Sequence, residues 1–234
     1  MAGKKKIYCW LCAFIDPEKT GTSDVMIGTY SNDEVQIMEA TTVELGYTPK
    51  TSVLINGDMV TFRLLEAKDE EALKDFFSRV PERESETLRD DVRDPTTIYK
   101  WIQAINYKRT LPLVAVTESV EGFAGVSTLH FMKDEHRHVA DIRIVVGKGF
   151  RKLGLGSAMI KELIEVGNRE RIHFLRAEIL TENQLAIKAF RQLGFEAKCT
   201  LEDYFMTRKG ETRDVLLMLK RLRVDVEEDF FYVF

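Results

Sequence analysis

The chain has little of several things, and each shortage excludes a class. Three cysteines, Cys9, Cys12 and Cys199, stand in 234 residues. That is too few, and an odd number, for a disulfide scaffold, so a reducing compartment and a cytoplasmic location are expected. Neither sign of charge dominates: 34 Lys and Arg stand against 38 Asp and Glu, a net charge of −4. A nucleic-acid partner, which needs a basic face, is not expected. Long apolar runs are missing as well. Ile7–Ile15 follows Lys4–Lys6 in the manner of a secretory leader, but it is short, has no small-x-small cleavage site and ends at Asp16-Pro17-Glu18. It is too short to cross a bilayer, reads as a buried strand, and leaves no membrane partner expected. Internal repeats and low-complexity tracts are absent. Cys9-x-x-Cys12 has no second ligand pair to complete a zinc tetrahedron, so no metal is expected. His130, His136 and His138 read as sheet or surface histidines, with His138 a reserve base.

What is present concentrates in residues 142–157. An apolar strand, Ile142 to Val146, runs into a turn rich in Gly, Lys and Arg, and the turn opens into an amphipathic helix carrying Met159, Ile160, Leu163, Ile164 and Val166. Backbone N–H groups at a helix start have no intrahelical partner, and the helix dipole makes that end positive. Gly154 and Gly156 permit close approach of an anion to the backbone. The pattern is therefore a phosphate cradle. It is not a P-loop, because Leu155 and Gly156 stand where Lys and a hydroxyl residue belong after Gly149-x-x-x-x-Gly154. It is not a dinucleotide fingerprint, because four residues separate Gly149 from the next glycine.

Arg-x-x-Gly-x-Gly does fit, at Arg151, Gly154 and Gly156. A second landmark follows: Asn183, Ala186, Phe190 and Gly194-Phe195, then Tyr204 ten residues past Gly194, then the apolar strand Asp214–Met218. In order and spacing this resembles the GNAT superfamily of N-acetyltransferases over about residues 52–222. The strand Ala140–Val146 and the segment Val60–Leu65 resemble bacterial protein-lysine acetyltransferase domains.

The periodicities place the elements. Asn56-Gly57 predicts a hairpin between Ser52–Ile55 and Met59–Leu65. Leu73, Phe76 and Phe77 predict a helix over 67–80, followed by a charged segment at 82–94, a loop or short helix. Pro95 opens a helix with Ile98, Trp101, Ile102 and Ile105 inward. Strands are expected at 113–117, 124–132, 139–146, 174–180, 195–205 and 214–222. The chain divides into an N-terminal extension (1–50, with strands at Ile7–Ile15 and Val25–Tyr30 and a capping box at Ser31-x-x-Glu34), an acyl-CoA-binding domain (51–223) and an acidic-aromatic tail (224–234). The order of elements is that of an α+β sandwich. The resemblance makes it more specific: a twisted, mostly antiparallel sheet with helices on both faces and a splayed central strand pair.

The resemblance implies acetyl transfer from acetyl-CoA to a primary amine, on a protein or a small molecule, by direct attack. A non-catalytic acyl-CoA-binding sensor of the same fold is the alternative. The implied cofactor contacts are the backbone of Ile144, Val145 and Val146, the loop residues Arg151, Lys152, Leu153, Gly154, Leu155, Gly156 and Ser157, and Asn183 and Phe190. Asn183 also suits a helix N-cap. Phe190 stands where the family often has Tyr, and core packing is its better reading. Tyr204 is the expected acid for the leaving thiolate and Asp141 the expected base, with Arg143 sharing its strand face. The apolar N-terminal strand and the aromatic tail suggest self-association as a homodimer.

Overall fold

The computed structural model describes residues 47–222. The readings for residues 1–46, including Cys9-x-x-Cys12, and for the tail after Leu222 lie outside the described residues. Eight strands form one sheet in the order β1-β2-β3-β4-β5-β6-β8-β7. They are β1 (Lys50–Val53), β2 (Met59–Leu64), β3 (Thr110–Thr117), β4 (Phe123–Phe131), β5 (Val139–Val146), β6 (Phe174–Leu180), β7 (Glu196–Met206) and β8 (Thr212–Arg221). All neighbours are antiparallel except β5 and β6, which run parallel. The helices are α1 (Glu70–Ser78), α2 (Glu82–Ser85), α3 (Pro95–Gln103), α4 (Leu155–Arg169) and α5 (Gln184–Gln192).

Local chemistry accounts for the element ends. Gly57 takes φ +90° at the β1–β2 turn, the left-handed conformation that favours Gly. Asp94 caps α3 by accepting the Thr96 N–H at 2.9 Å, with Pro95 in the first turn. Before α1, Asp69 is buried and takes both terminal nitrogens of Arg63, at 2.6 and 2.8 Å. This fixes the exit of β2 against the first helix.

Apolar residues cover both faces of the sheet. On one, Leu73, Phe76, Phe77, Ile98 and Ile102 from α1 and α3 pack with Val114 and Val126. On the other, Ile160, Leu163 and Val166 of α4 and Ile187 and Phe190 of α5 pack with Leu111, Leu129, Leu175 and Met218. The mixed sheet with helices on both faces agrees with the fold expected from the sequence. Tyr47 is buried against this second core, with Arg169 stacked over its ring at 5.5 Å. The charged segment at 82–94, expected as a loop or short helix, contains one helical turn, α2.

Candidate active site

The parallel pair β5–β6 is joined for only three rungs: Val139 with Phe174, Ala140 with Leu175 and Asp141 with Arg176. Beyond them β5 stays paired with β4 as far as Val146–Gly125, while β6 stays paired with β8 as far as Leu180–Val215. The sheet therefore forks between Ile142–Val146 and Ala177–Leu180.

Strand alternation says which backbone groups line the fork. The Gly147 N–H donates to the Ala124 carbonyl at 2.9 Å, and the Val145 carbonyl stands against Gly125. Residues 145 and 147 thus turn their amide groups towards β4, and Ile144 and Val146 turn theirs into the fork. Of the three residues expected to offer backbone contacts, Val145 is the exception. Its backbone serves the β4 ladder, and its side chain packs on the α1–α3 face.

The phosphate-loop residues lie directly beyond β5. Gly154 takes φ +90° as the N-cap of α4 and supplies no side-chain cap, so the first N–H groups of the helix have no intrahelical acceptor. Leu155 is fully buried, so only its backbone can meet a ligand. Lys152 adopts φ 61° and is exposed. The Leu153 carbonyl accepts from the Ile55 N–H at 3.0 Å, tying the loop to the β1–β2 turn. Arg151 departs from the simple picture of a phosphate ligand. Its Nε donates to the Val146 carbonyl at 3.2 Å, and its terminal nitrogens form a forked ion pair with Glu84 of α2, at 2.9 and 2.5 Å. The hydrogen bonds from Arg151 hold the Glu84 carboxyl below the usual carboxylate range.

Asp141 is 6% exposed, and both its oxygens are taken by Arg176, at 2.6 and 2.8 Å. The carboxylate of the best sequence candidate for the base is therefore committed to a bidentate pair. Its partner is Arg176 across the parallel rung, not Arg143 on its own strand. Tyr204 lies on β7 and is 60% exposed. Asn183 caps α5, accepting the Ala186 N–H at 3.2 Å. Phe190 is 7% exposed and meets Phe195 edge to face at 4.8 Å. Its side chain is core, as the bland reading had it, and supplies no polar contact.

The structure adds residues that the motifs did not flag. A small polar pocket at the fork is lined by Arg89, Asp141, Ile142, Arg143, Arg176 and Glu178. Arg89 comes from the charged loop and pairs with Glu178. Arg143 is largely buried; desolvation first, then the nearby Arg89, brings its pKa down to about 10. Its Nη1 is buried with no hydrogen-bond partner. Behind it His130 bridges Thr110, 3.0 Å from Nδ1, and Thr128, 2.9 Å from Nε2. A signal for this cluster existed in the sequence. Asp141, Arg143, Arg176 and Glu178 are alternate residues on two central apolar strands, where charge is costly without a purpose. His138 precedes β5 at the closed end of the parallel pair, its ring 5.8 Å from that of His173, away from the fork. Among the described residues no group of three or more His, Cys, Asp or Glu is placed to hold a metal ion. None of the described helices is long and apolar enough to cross a membrane.

A forked sheet beside a glycine-capped helix is the arrangement that the resemblance in the sequence implied, and comparison with known proteins agrees. The model of the Acetyltransferase (GNAT) family matches residues 70–195. The chain belongs to the GNAT family. It is 33% identical over 84 residues to the L-amino acid N-acetyltransferase AaaT of Escherichia coli strain K12, covering 36% of this chain and 51% of that protein. It is 32% identical over 97 residues to the N-terminal acetyltransferase B complex catalytic subunit naa20 of Schizosaccharomyces pombe, covering 42% and 53%. The chain thus spans about half the length of the curated relatives it matches. Among solved structures, a GNAT-family acetyltransferase from Streptococcus pneumoniae superposes with a TM-score of 0.59 at 26% identity, covering 70% of this chain and 99% of that one. The yncA protein of Salmonella typhimurium, solved with acetyl-CoA, superposes at 0.60 with 19% identity, covering 74% and 99%, and shares the fold.

Proposed function

We propose that this chain is an N-acetyltransferase that moves an acetyl group from acetyl-CoA to a primary amine by direct attack. The fork is the observation that carries the reading. Past the last rung Ile144 and the Val146 N–H turn strand-edge groups into the fork, the Val146 carbonyl being held by Arg151, and the same strand ends in a helix start whose N–H groups lack intrahelical acceptors. The edge suits the amides of a pantetheine arm, and the helix start suits a pyrophosphate. Acetyl-CoA supplies the thioester.

The residues divide the work as follows. The backbone of Leu153–Ser157 and the Lys152 side chain hold phosphate, through charge-assisted hydrogen bonds of roughly 1.5–3 kcal/mol each. Arg151 braces the loop through Val146 and Glu84. Asn183 fixes the start of α5 at the fork. Asp141 positions Arg176. Glu178, just past the fork on the same face, receives the amine proton directly or through a water. The amine nitrogen attacks the thioester carbonyl carbon, the C–S bond breaks, and Tyr204 donates its hydroxyl proton to the departing sulfur. Positioning supplies several kcal/mol.

The sensor reading draws support from one observation: the Asp141 carboxylate is closed off by Arg176. Turnover separates the two. With the full chain, acetyl-CoA and a mixture of amines and lysine peptides, CoA-thiol release is expected. Tyr204→Phe should lower kcat about 10- to 10³-fold with little change in apparent acetyl-CoA affinity. Unchanged kcat would make Tyr204 a packing residue. Binding without turnover would favour the sensor. A rise in melting temperature with ATP-Mg or NAD but none with acetyl-CoA would end both readings.

A further inference from the structure

The pocket at the fork is almost entirely ionic, since five of its six lining residues carry charge. Most of that charge is already matched. Asp141 is spent on Arg176, and Glu178 is paired with Arg89. Asp90 also lies within electrostatic reach of Arg143. Arg143 is nevertheless left with a buried Nη1 that donates to nothing. A guanidinium N–H removed from water without an acceptor is costly, and one kept in a native structure calls for a reason, of which an acceptor on a bound ligand is one. Across the fork on the same sheet face stands Glu178, whose Oε2 is taken by Arg89 and whose Oε1 remains, so the pocket offers a donor of positive charge on β5 and one carboxylate oxygen on β6.

We propose that the acceptor is a free α-amino acid, its carboxylate received by Arg143 and its amino group by Glu178; this rests on the N-acetyltransferase reading above. The ionic walls discriminate among amines. A polyamine would bring only positive charge against Arg89, Arg143 and Arg176. A lysine side chain or a protein N-terminus carries no carboxylate beside its amine and would leave the Arg143 donor unmet. A zwitterion satisfies both walls, and its amine then faces the fork where the thioester carbon lies. This departs from the lean towards protein lysine that the strand resemblance gave.

The test compares each of a panel of L-amino acids with its own C-terminal amide, alongside a lysine peptide and spermidine, using the full chain and acetyl-CoA. Free acids are expected to exceed their amides by about 10- to 100-fold in kcat/KM, because a buried donor built for a carboxylate rejects an analogue that lacks it. Arg143→Met should collapse that ratio towards unity, and Arg143→Lys should restore part of it. Amides or lysine peptides that match or surpass the acids would overturn the proposal, as would an Arg143→Met protein, folded by circular dichroism, with the ratio unchanged. If Arg143→Met does not fold, the acid–amide comparison on the unaltered chain decides. If no amine turns over, the transferase reading fails separately. Calorimetry of an amino acid and its amide on the CoA-bound protein then decides this proposal, tighter binding of the acid supporting it and equal binding overturning it.

Discussion

At His130 a side chain that titrates near neutrality in water is held neutral by its place in the fold. Burial first, then the positive charges of Arg143 and Arg89, bring its pKa down from 6.5 to about 3. The two threonine hydroxyls complete its hydrogen bonds without a carboxylate to favour the charged form. The consequence for stability has a definite sign. Below about pH 6.5 the unfolded chain binds a proton at His130 that the folded chain refuses, so stability falls with pH from about 6.5 towards 3 and is unaffected by this group above 6.5. At pH 5 the loss is of order 2 kcal/mol from this residue, 1.5 pH units below the unfolded value. Urea unfolding at pH 7 and pH 5, for the unaltered chain and for His130→Asn, should show a smaller pH penalty in the variant. Equal penalties would mean that His130 can accept its proton while folded. Asp141 and Arg176 make the complementary case, a buried carboxylate whose cost is offset by a part-buried guanidinium. Asp141 was visible in the sequence as a carboxylate on a central strand. That Arg176 would take both its oxygens depended on a parallel register that no local pattern specifies.

At the level of elements, the exit of β5 shows two glycines with different duties. Gly154 adopts φ +90°, where any side chain is strained by about 1–2 kcal/mol. Gly156 has ordinary helical geometry, and a Cβ there would meet only Val146 Cγ2 at 3.5 Å, a normal contact. The fold itself therefore has room for a Cβ at 156, and under the proposed function glycine there serves the ligand side of the loop. Gly156→Val is expected to leave the melting temperature of the free protein nearly unchanged and to weaken acetyl-CoA binding at least 10-fold, about 1.4 kcal/mol. Undiminished affinity would show that the loop is only structural. The charged segment after α1 was legible as a charged loop. Its anchoring was not: Arg151 reaches it at Glu84, Glu178 at Arg89, Lys209 at Glu86 and Arg208 at Asp91. These partners lie far apart in the sequence and meet only because the loop crosses the fork.

At the scale of the molecule, one sheet is held between two apolar layers, and α4 joins the phosphate loop to the larger of them. Leu163 of α4 is fully buried among Leu129, Ile142, Leu175 and their neighbours, whereas Leu185 of α5 is 63% exposed. Leu163→Ala should cost about 2–5 kcal/mol in denaturant unfolding, from lost burial plus the cavity left behind. Leu185→Ala should stay within about 0.5 kcal/mol. Similar effects at the two positions would contradict the layer assignment of α4. The strongly destabilised Leu163→Ala protein should also bind acetyl-CoA less well, since the helix start that meets the phosphates is held in place by this packing.

The sequence alone determined the class of fold, the order of its elements and the glycine-capped start of α4, because these rest on local rules. Apolar period sets strand or helix, Asn56-Gly57 sets a turn, Asp94-Pro95 and Asn183 set helix starts, and Gly154 permits a left-handed cap. The tertiary structure decided which groups are available for chemistry. Val145 turns its backbone to β4 because of strand alternation against that neighbour. Arg151 is engaged by Glu84, and Asp141 by Arg176, because chain crossings bring opposite charges together. Arg143 keeps a buried donor without an acceptor for the same reason: which charges are matched, and which are left for a ligand, is settled only when distant strands and loops share one face of the sheet.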